Sequence, residues 1–240
     1  MVKILKYELR RLLLNKFFIS LLAINGVFAW YTLASDTVAG IAFTAPFSPW
    51  SFGSYLSSVM PMITITVLFL LTFFHSKKEK QVKILTAATP VNAIRYMLIR
   101  NAAVTFGFFA LSFLVVGMSF YFYVVYFDYW NFTAFIIPVI VTVIPCFVFI
   151  MGLGNCVGRI HPGFLYSLML VSFAMNFVHL PGEFSLFGGG YYANAPLSLP
   201  TGMDGEPAFM LSAAFLVTRA LYLVIGVVLL ALSIRPKKQK

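Results

Sequence analysis

Six long apolar runs, at residues 17–34, 55–75, 101–127, 132–157, 163–180 and 209–234, contain no aspartate or glutamate. A helix needs about 20 mainly apolar residues to cross a hydrocarbon core of ~30 Å. In lipid the backbone must satisfy its own hydrogen bonds, so spans of this kind are helices. The expected fold is therefore an all-α integral membrane protein with six transmembrane helices in one domain, residues 1–240. Composition sharpens this: 61% of the chain is hydrophobic and 10% is charged, against roughly 25% charged in soluble proteins. That excludes a soluble enzyme, a disordered chain and a disulfide scaffold, and it leaves no length for a separate soluble catalytic domain. Pro61, Pro138 and Pro145 fall inside runs and are expected to kink them. Cys146 and Cys156 share one run about 15 Å apart, too far for a disulfide, and read as buried apolar residues.

The charges sort by side. Lys3, Lys6, Arg10, Arg11 and Lys16 precede the first run. Lys77, Lys78, Lys80, Lys83, Arg95 and Arg100 lie between the second and third. Arg159 follows the fourth, and Arg235, Lys237, Lys238 and Lys240 form the tail. The opposite loops hold Asp36, Asp128, Glu183, Asp204 and Glu206 and no lysine or arginine. The positive-inside rule then puts both termini in the cytoplasm of a multi-pass protein in the cell membrane; separately, a bacterial source is expected. The net charge of +10 reads as topology, and no nucleic-acid partner is expected. Tyr121, Tyr123, Tyr126, Tyr129, Trp130, Trp50 and Tyr55 suggest an aromatic belt at the outer interface. The basic lead of residues 1–16 is too long for a signal peptide, so an uncleaved anchor is expected.

On a helical wheel Val2, Leu5, Leu9, Leu12 and Leu13 share one face of the lead, and Lys3, Lys6, Tyr7, Arg10 and Arg11 share the other. This is a basic amphipathic helix suited to lie on anionic lipid. Between runs two and three, residues 77–88 are good helix formers and Thr89-Pro90 is a stop signal. A short helix there, residues 77–90, would lie across the inner surface.

This layout resembles the permease subunit of type-2 ATP-binding-cassette exporters. The similarity covers the whole chain in arrangement, and in specific residues it covers about 79–100, including Ala88-Thr89-Pro90-Val91. Glu79 and Thr89-Pro90 match the family pattern, whereas its Gly-Thr and second acid are missing. The resemblance implies that residues 1–16 are an elbow helix, with Lys3, Lys6, Arg10 and Arg11 on its polar face. It implies that residues 77–90 are a coupling helix, in which Lys77, Lys78, Glu79, Lys80, Val82, Lys83, Ile84, Leu85, Thr89 and Pro90 meet the ATPase. It also implies a re-entrant or capping loop between spans five and six, within residues 181–208. The implied partners are a cytoplasmic ATPase subunit carrying ATP and Mg, a second permease copy or a sister permease, and membrane lipid.

No G-x-x-x-x-G-K-[ST] phosphate loop and no H-E-x-x-H occurs, so no catalytic residue, cofactor or metal is expected on this chain. Gly154 and Gly158 suggest close helix packing. The runs lack the carboxylate that ion-coupled carriers use. Three polar positions are candidates for a path or an interface: Asn25, Asn176 and Arg219. Asn101 and Asn155 are further polar spots, and interhelical hydrogen bonds are the first expectation for the asparagines. Arg219 is expected either to pair with Glu183, Asp204, Glu206 or an anion in the path, or to snorkel outward. The expected function is the membrane subunit of an ATP-driven exporter of an amphipathic or hydrophobic cargo such as a peptide, drug or lipid-linked molecule. The rivals are an energy-independent carrier or channel, and a membrane immunity or scaffold protein.

Overall fold

The computed structural model describes residues 2–75, 93–175, 177–178, 182–200, 202 and 206–234. Among these residues there are eight α-helices and no strand: α1 Val2–Leu13, α2 Lys16–Ser35, α3 Pro49–His75, α4 Ala93–Phe127, α5 Ile136–Ile160, α6 Gly163–Ala174, α7 Gly189–Ser198 and α8 Ala213–Ile234. Five of them, α2 to α5 and α8, are long and apolar enough to cross a membrane. The protein is thus an all-helical, multi-pass membrane protein.

The packing centres on α3, which touches α2, α4, α5, α6 and α7. Nearly every turn of α3 is buried, whereas α2, α4 and α8 turn many large apolar side chains outward, among them Val27, Phe113 and Val217. This inversion suits a chain in lipid, where outward apolar residues meet acyl tails. Glycines set the closest crossings. A Cβ on Gly226 of α8 would lie 2.6 Å from the backbone of α5 at Phe149, so only glycine lets the two helices meet there. A Cβ on Gly154 would lie 2.6 Å from Leu71, and one on Gly158 would lie 2.8 Å from the His75 ring. Those two glycines seat α5 on α3, which is the close packing expected of them.

Element boundaries depart from the apolar runs where capping chemistry intervenes. The helix of the second span begins at Pro49, not residue 55. Ser48 Oγ accepts from the Ser51 amide at 3.1 Å, and Pro49 occupies the first helical position, where a missing N–H is harmless. The fourth begins at Ile136, not residue 132. Pro138 therefore sits in its first turn and has no ladder bond to break, unlike Pro61 and Pro145, which lie within α3 and α5. The fifth run is helical over Gly163–Ala174, 12 residues, or about 18 Å of rise. That is short of the expected 163–180. The last helix starts at Ala213, not residue 209. The expected aromatic belt is divided: Tyr121, Tyr126 and Trp130 face outward, but Trp50, Tyr55 and Tyr123 are buried in the bundle. Cys146 is buried with a free thiol, and Cys156 Sγ donates to the Leu229 carbonyl at 3.2 Å.

Candidate functional site

Two polar clusters mark the two ends of the bundle. The loops that follow α2 and α4 and the stretch that precedes α8 converge at one end. There the Ala45 amide donates to the Glu206 carboxylate at 2.6 Å, Trp50 Nε1 donates to the Pro207 carbonyl at 3.2 Å, and the Phe47 and Tyr129 rings stack at 4.8 Å. Asp36, Asp128, Glu183 and Glu206 all belong to loops of this acidic end. The Tyr129 phenol is raised above its ordinary value by burial and then by the Glu206 carboxylate nearby.

The acidic end is closed by α7 and the 3₁₀ turn Gly182–Phe184. The Tyr192 ring of α7 lies against the α3 backbone at Gly53, and its hydroxyl is 2.8 Å from the Thr142 hydroxyl of α5. Tyr191 stacks on Phe215 with ring centroids 4.0 Å apart. Three side chains of α8 then stitch the 183–186 backbone down. Thr218 Oγ1 donates to the Glu183 carbonyl at 2.9 Å, Tyr222 donates to the Phe184 carbonyl at 2.6 Å, and the Arg219 guanidinium donates to the Ser185 carbonyl at 2.8 Å and to the Leu186 carbonyl.

Arg219 is only 3% exposed. It is the seventh residue of its helix, about 9 Å from its start. It neither snorkels outward nor pairs with an acid among the described residues; backbone carbonyls take its charge. Its guanidinium also lies 4.4 Å from the Phe215 ring centroid, a cation–π distance. Gly188 has φ +86°, and a Cβ there would lie 2.8 Å from the guanidinium. Glycine is needed at this position both for the left-handed turn and for the arginine's approach.

The other end is basic. The exposed side chains of α1 include Lys6, Arg10 and Arg11, while Leu12 is buried and Leu9 and Leu13 pack on the core. Lys3 belongs to the same helix. This apolar face rests on α4 and α2. Within it sits Glu8, 2% exposed. Its Oε1 accepts from the Tyr96 hydroxyl of α4 at 3.1 Å, and its Oε2 is 4.0 Å from the Arg11 guanidinium. Arg100 stands next to this joint, 4.1 Å above the Phe74 ring and 5.4 Å from the Tyr96 ring. Arg159, at the end of α5, donates to the last carbonyls of α8 at Leu232 (3.1 Å) and Ser233.

Of the candidate path residues, Asn25 bridges helices as expected, donating to Thr66 Oγ1 of α3 at 2.9 Å and to Leu21 O at 2.8 Å. Asn155 instead donates to Met151 of its own helix at 2.8 Å. Asn176 and the whole proposed ATPase-contact segment, Lys77 to Pro90, lie outside the described residues. Among the described residues no three His, Cys, Asp or Glu side chains form a metal-binding group. Three contacts escaped sequence reasoning. Glu8 was hidden because an acid on the apolar side of a basic helix looks like surface. The Tyr192–Thr142 contact joins residues 50 positions apart. Arg159 reads from sequence as an orienting charge rather than a cap. No protein-family model, curated protein or solved structure matches this chain.

Proposed function

We propose that this chain is the membrane subunit of an ATP-driven exporter, a permease of the type-2 ATP-binding-cassette kind, working as a homodimer or with a sister permease. In this reading six spans cross a bacterial cell membrane and both termini are cytoplasmic. Helix α1 is the elbow on the inner leaflet, and residues 77–90 form the coupling helix. ATP binding and Mg belong to a separate cytoplasmic ATPase. Its closure pushes the coupling helix, rocks spans one, two and five, and opens an outward path at the dimer seam.

The observation that carries the reading is the basic end. An amphipathic helix with exposed cations packs on α4 and joins it through Glu8 and Tyr96. This joint lies beside Phe74 and Arg100, the base of the 76–92 connection. A push on that connection would reach α1 and α4 together. The outer cap supports the same reading, since a path at the dimer seam needs a closure at its outer mouth. The test is purification of the complex in mild detergent with and without Lys78→Glu and Lys83→Glu. An ATPase subunit is expected with the wild-type chain and is expected to be lost from the double variant. Transport by the chain alone, without ATP, would favour a carrier.

A further inference from the structure

One face of α7 lines a pocket of about 570 Å³ at the acidic end. Gly190, Tyr191, Asn194, Ala195 and Ser198 recur at helical spacing along that face, and Glu183 and the 210–212 stretch form the opposite wall. The pocket is open rather than enclosed, so it would cover one side of a bound molecule and leave the other to solvent. The Tyr191 hydroxyl donates to the Met210 carbonyl (3.4 Å), the Asn194 amide spends one of its two N–H groups on the Gly190 carbonyl (2.9 Å), and the Ser198 hydroxyl donates to the Ala195 carbonyl (2.9 Å). The Ser212 amide is taken by Tyr191 at 2.7 Å, and the Ser212 hydroxyl accepts from the Phe215 amide at 3.2 Å. Neutral groups of both kinds thus line the pocket, and its one full charge sets its preference.

Glu183 is the one charged residue among the described residues lining the pocket. Its backbone carbonyl holds Thr218, but its carboxylate makes no hydrogen bond or ion pair among the described residues. Met210, Leu211 and Leu199 supply an apolar wall. The surrounding loops add Asp36, Asp128 and Glu206 and no lysine or arginine, a field that draws in cations and repels anions.

We propose that this pocket binds an amphipathic organic cation, its charged head on Glu183 and its apolar body against Met210 and Leu211. The exporter reading contributes only the assignment of this end to the outer surface, together with the role of the molecule as cargo or as a signal of cargo. The recognition chemistry stands on the pocket itself.

The test uses the full chain in phosphatidylcholine nanodiscs, with binding read by fluorescence anisotropy against protein-free nanodiscs. The probe is the cationic dye rhodamine 6G, and the anionic dye fluorescein is its counterpart. Saturable binding of rhodamine 6G and none of fluorescein is expected. Glu183→Gln keeps the backbone bond to Thr218 but should weaken rhodamine 6G binding about tenfold, the scale of losing one charge-assisted contact. Asp128→Asn removes an acid from the same end but outside the pocket, so it weakens only the surrounding field and should cost far less affinity than Glu183→Gln. Ser198→Trp, from an exposed position on α7, should block binding by filling the site. Equal binding of the two dyes, or an equal loss in Glu183→Gln and Asp128→Asn, would overturn the proposal. So would full affinity in Glu183→Gln, or in Ser198→Trp. No ATPase or transport enters this assay, so its failure leaves the exporter reading intact, and loss of ATPase association would not touch the pocket.

Discussion

Among the described residues each end of the bundle buries one charge, and the two are handled differently. At the acidic end Arg219 donates to backbone carbonyls of Ser185 and Leu186, more than thirty residues away in sequence. At the basic end Glu8 depends on two side chains, the Tyr96 hydroxyl and the Arg11 guanidinium. A carbonyl is present whatever residue carries it, so the acidic-end cap depends on the arginine and on the glycine at 188 that admits it, rather than on the side chains that carry the accepting carbonyls. The basic-end joint is specific to its side chains and breaks from either partner. The first arrangement makes a fixed closure. The second makes a joint that can be reset when its partners move.

Substitutions can break this contrast. The largest effect is expected for Arg219→Leu, which removes two charge-assisted hydrogen bonds worth roughly 1.5–3 kcal/mol each. A loss of about 3 kcal/mol in unfolding free energy in detergent is expected, with faster protease cleavage near 182–188. Ser185→Ala leaves the accepting carbonyl in place but removes the hydroxyl that accepts from the Gly188 amide at 3.2 Å, so a cost of about 1 kcal/mol, well below that of Arg219→Leu, is expected in the same assays. If Ser185→Ala costs as much as Arg219→Leu, the cap is not held by backbone acceptors.

A smaller loss is expected for Tyr96→Phe. It removes the donor from a buried carboxylate oxygen, and an unsatisfied buried acceptor costs about 1–3 kcal/mol. Detachment of α1 from α4, read by the distance between spin labels on the two helices, should accompany it. Glu8→Gln keeps an acceptor for Tyr96 and should hold α1 in place. Smallest is Asn25→Ala within the span. Interhelical hydrogen bonds in membranes average about 0.6 kcal/mol, so a loss near that size is expected in the same unfolding measurement. A loss as large as that of Arg219→Leu would mean that the middle of the bundle, rather than its ends, carries the polar constraint.

Much of this architecture is legible in the sequence, because lipid leaves the chain few choices. Runs of apolar residues without acids became helices, and the charge asymmetry sorted the loops into two ends. The amphipathic pattern of residues 2–13 marks α1, and Gly154 and Gly158 mark a close crossing. The remainder depended on geometry that periodicity does not carry. The polar segment Ser48–Ser54 begins a helix through its cap and proline, although no apolar run announces it. Arg219 looked either like half of an ion pair or like a cation snorkelling outward; backbone carbonyls freed by an irregular loop leave no trace in a linear pattern. Tyr55 and Tyr123 resemble interfacial aromatics by position along the chain, yet their helix faces turn them inward. The pocket beside Glu183 arises only when α7 folds back over the stretch that precedes α8.

The most direct measurement is affinity purification of the full chain from its native membrane in mild detergent, with the recovered partners assayed for ATP hydrolysis. A co-purifying cytoplasmic ATPase is predicted, present with the wild-type chain and absent when Lys78 and Lys83 are both changed to glutamate. Recovery of the chain without any ATPase, together with solute movement by the purified chain in liposomes lacking nucleotide, would contradict the exporter assignment.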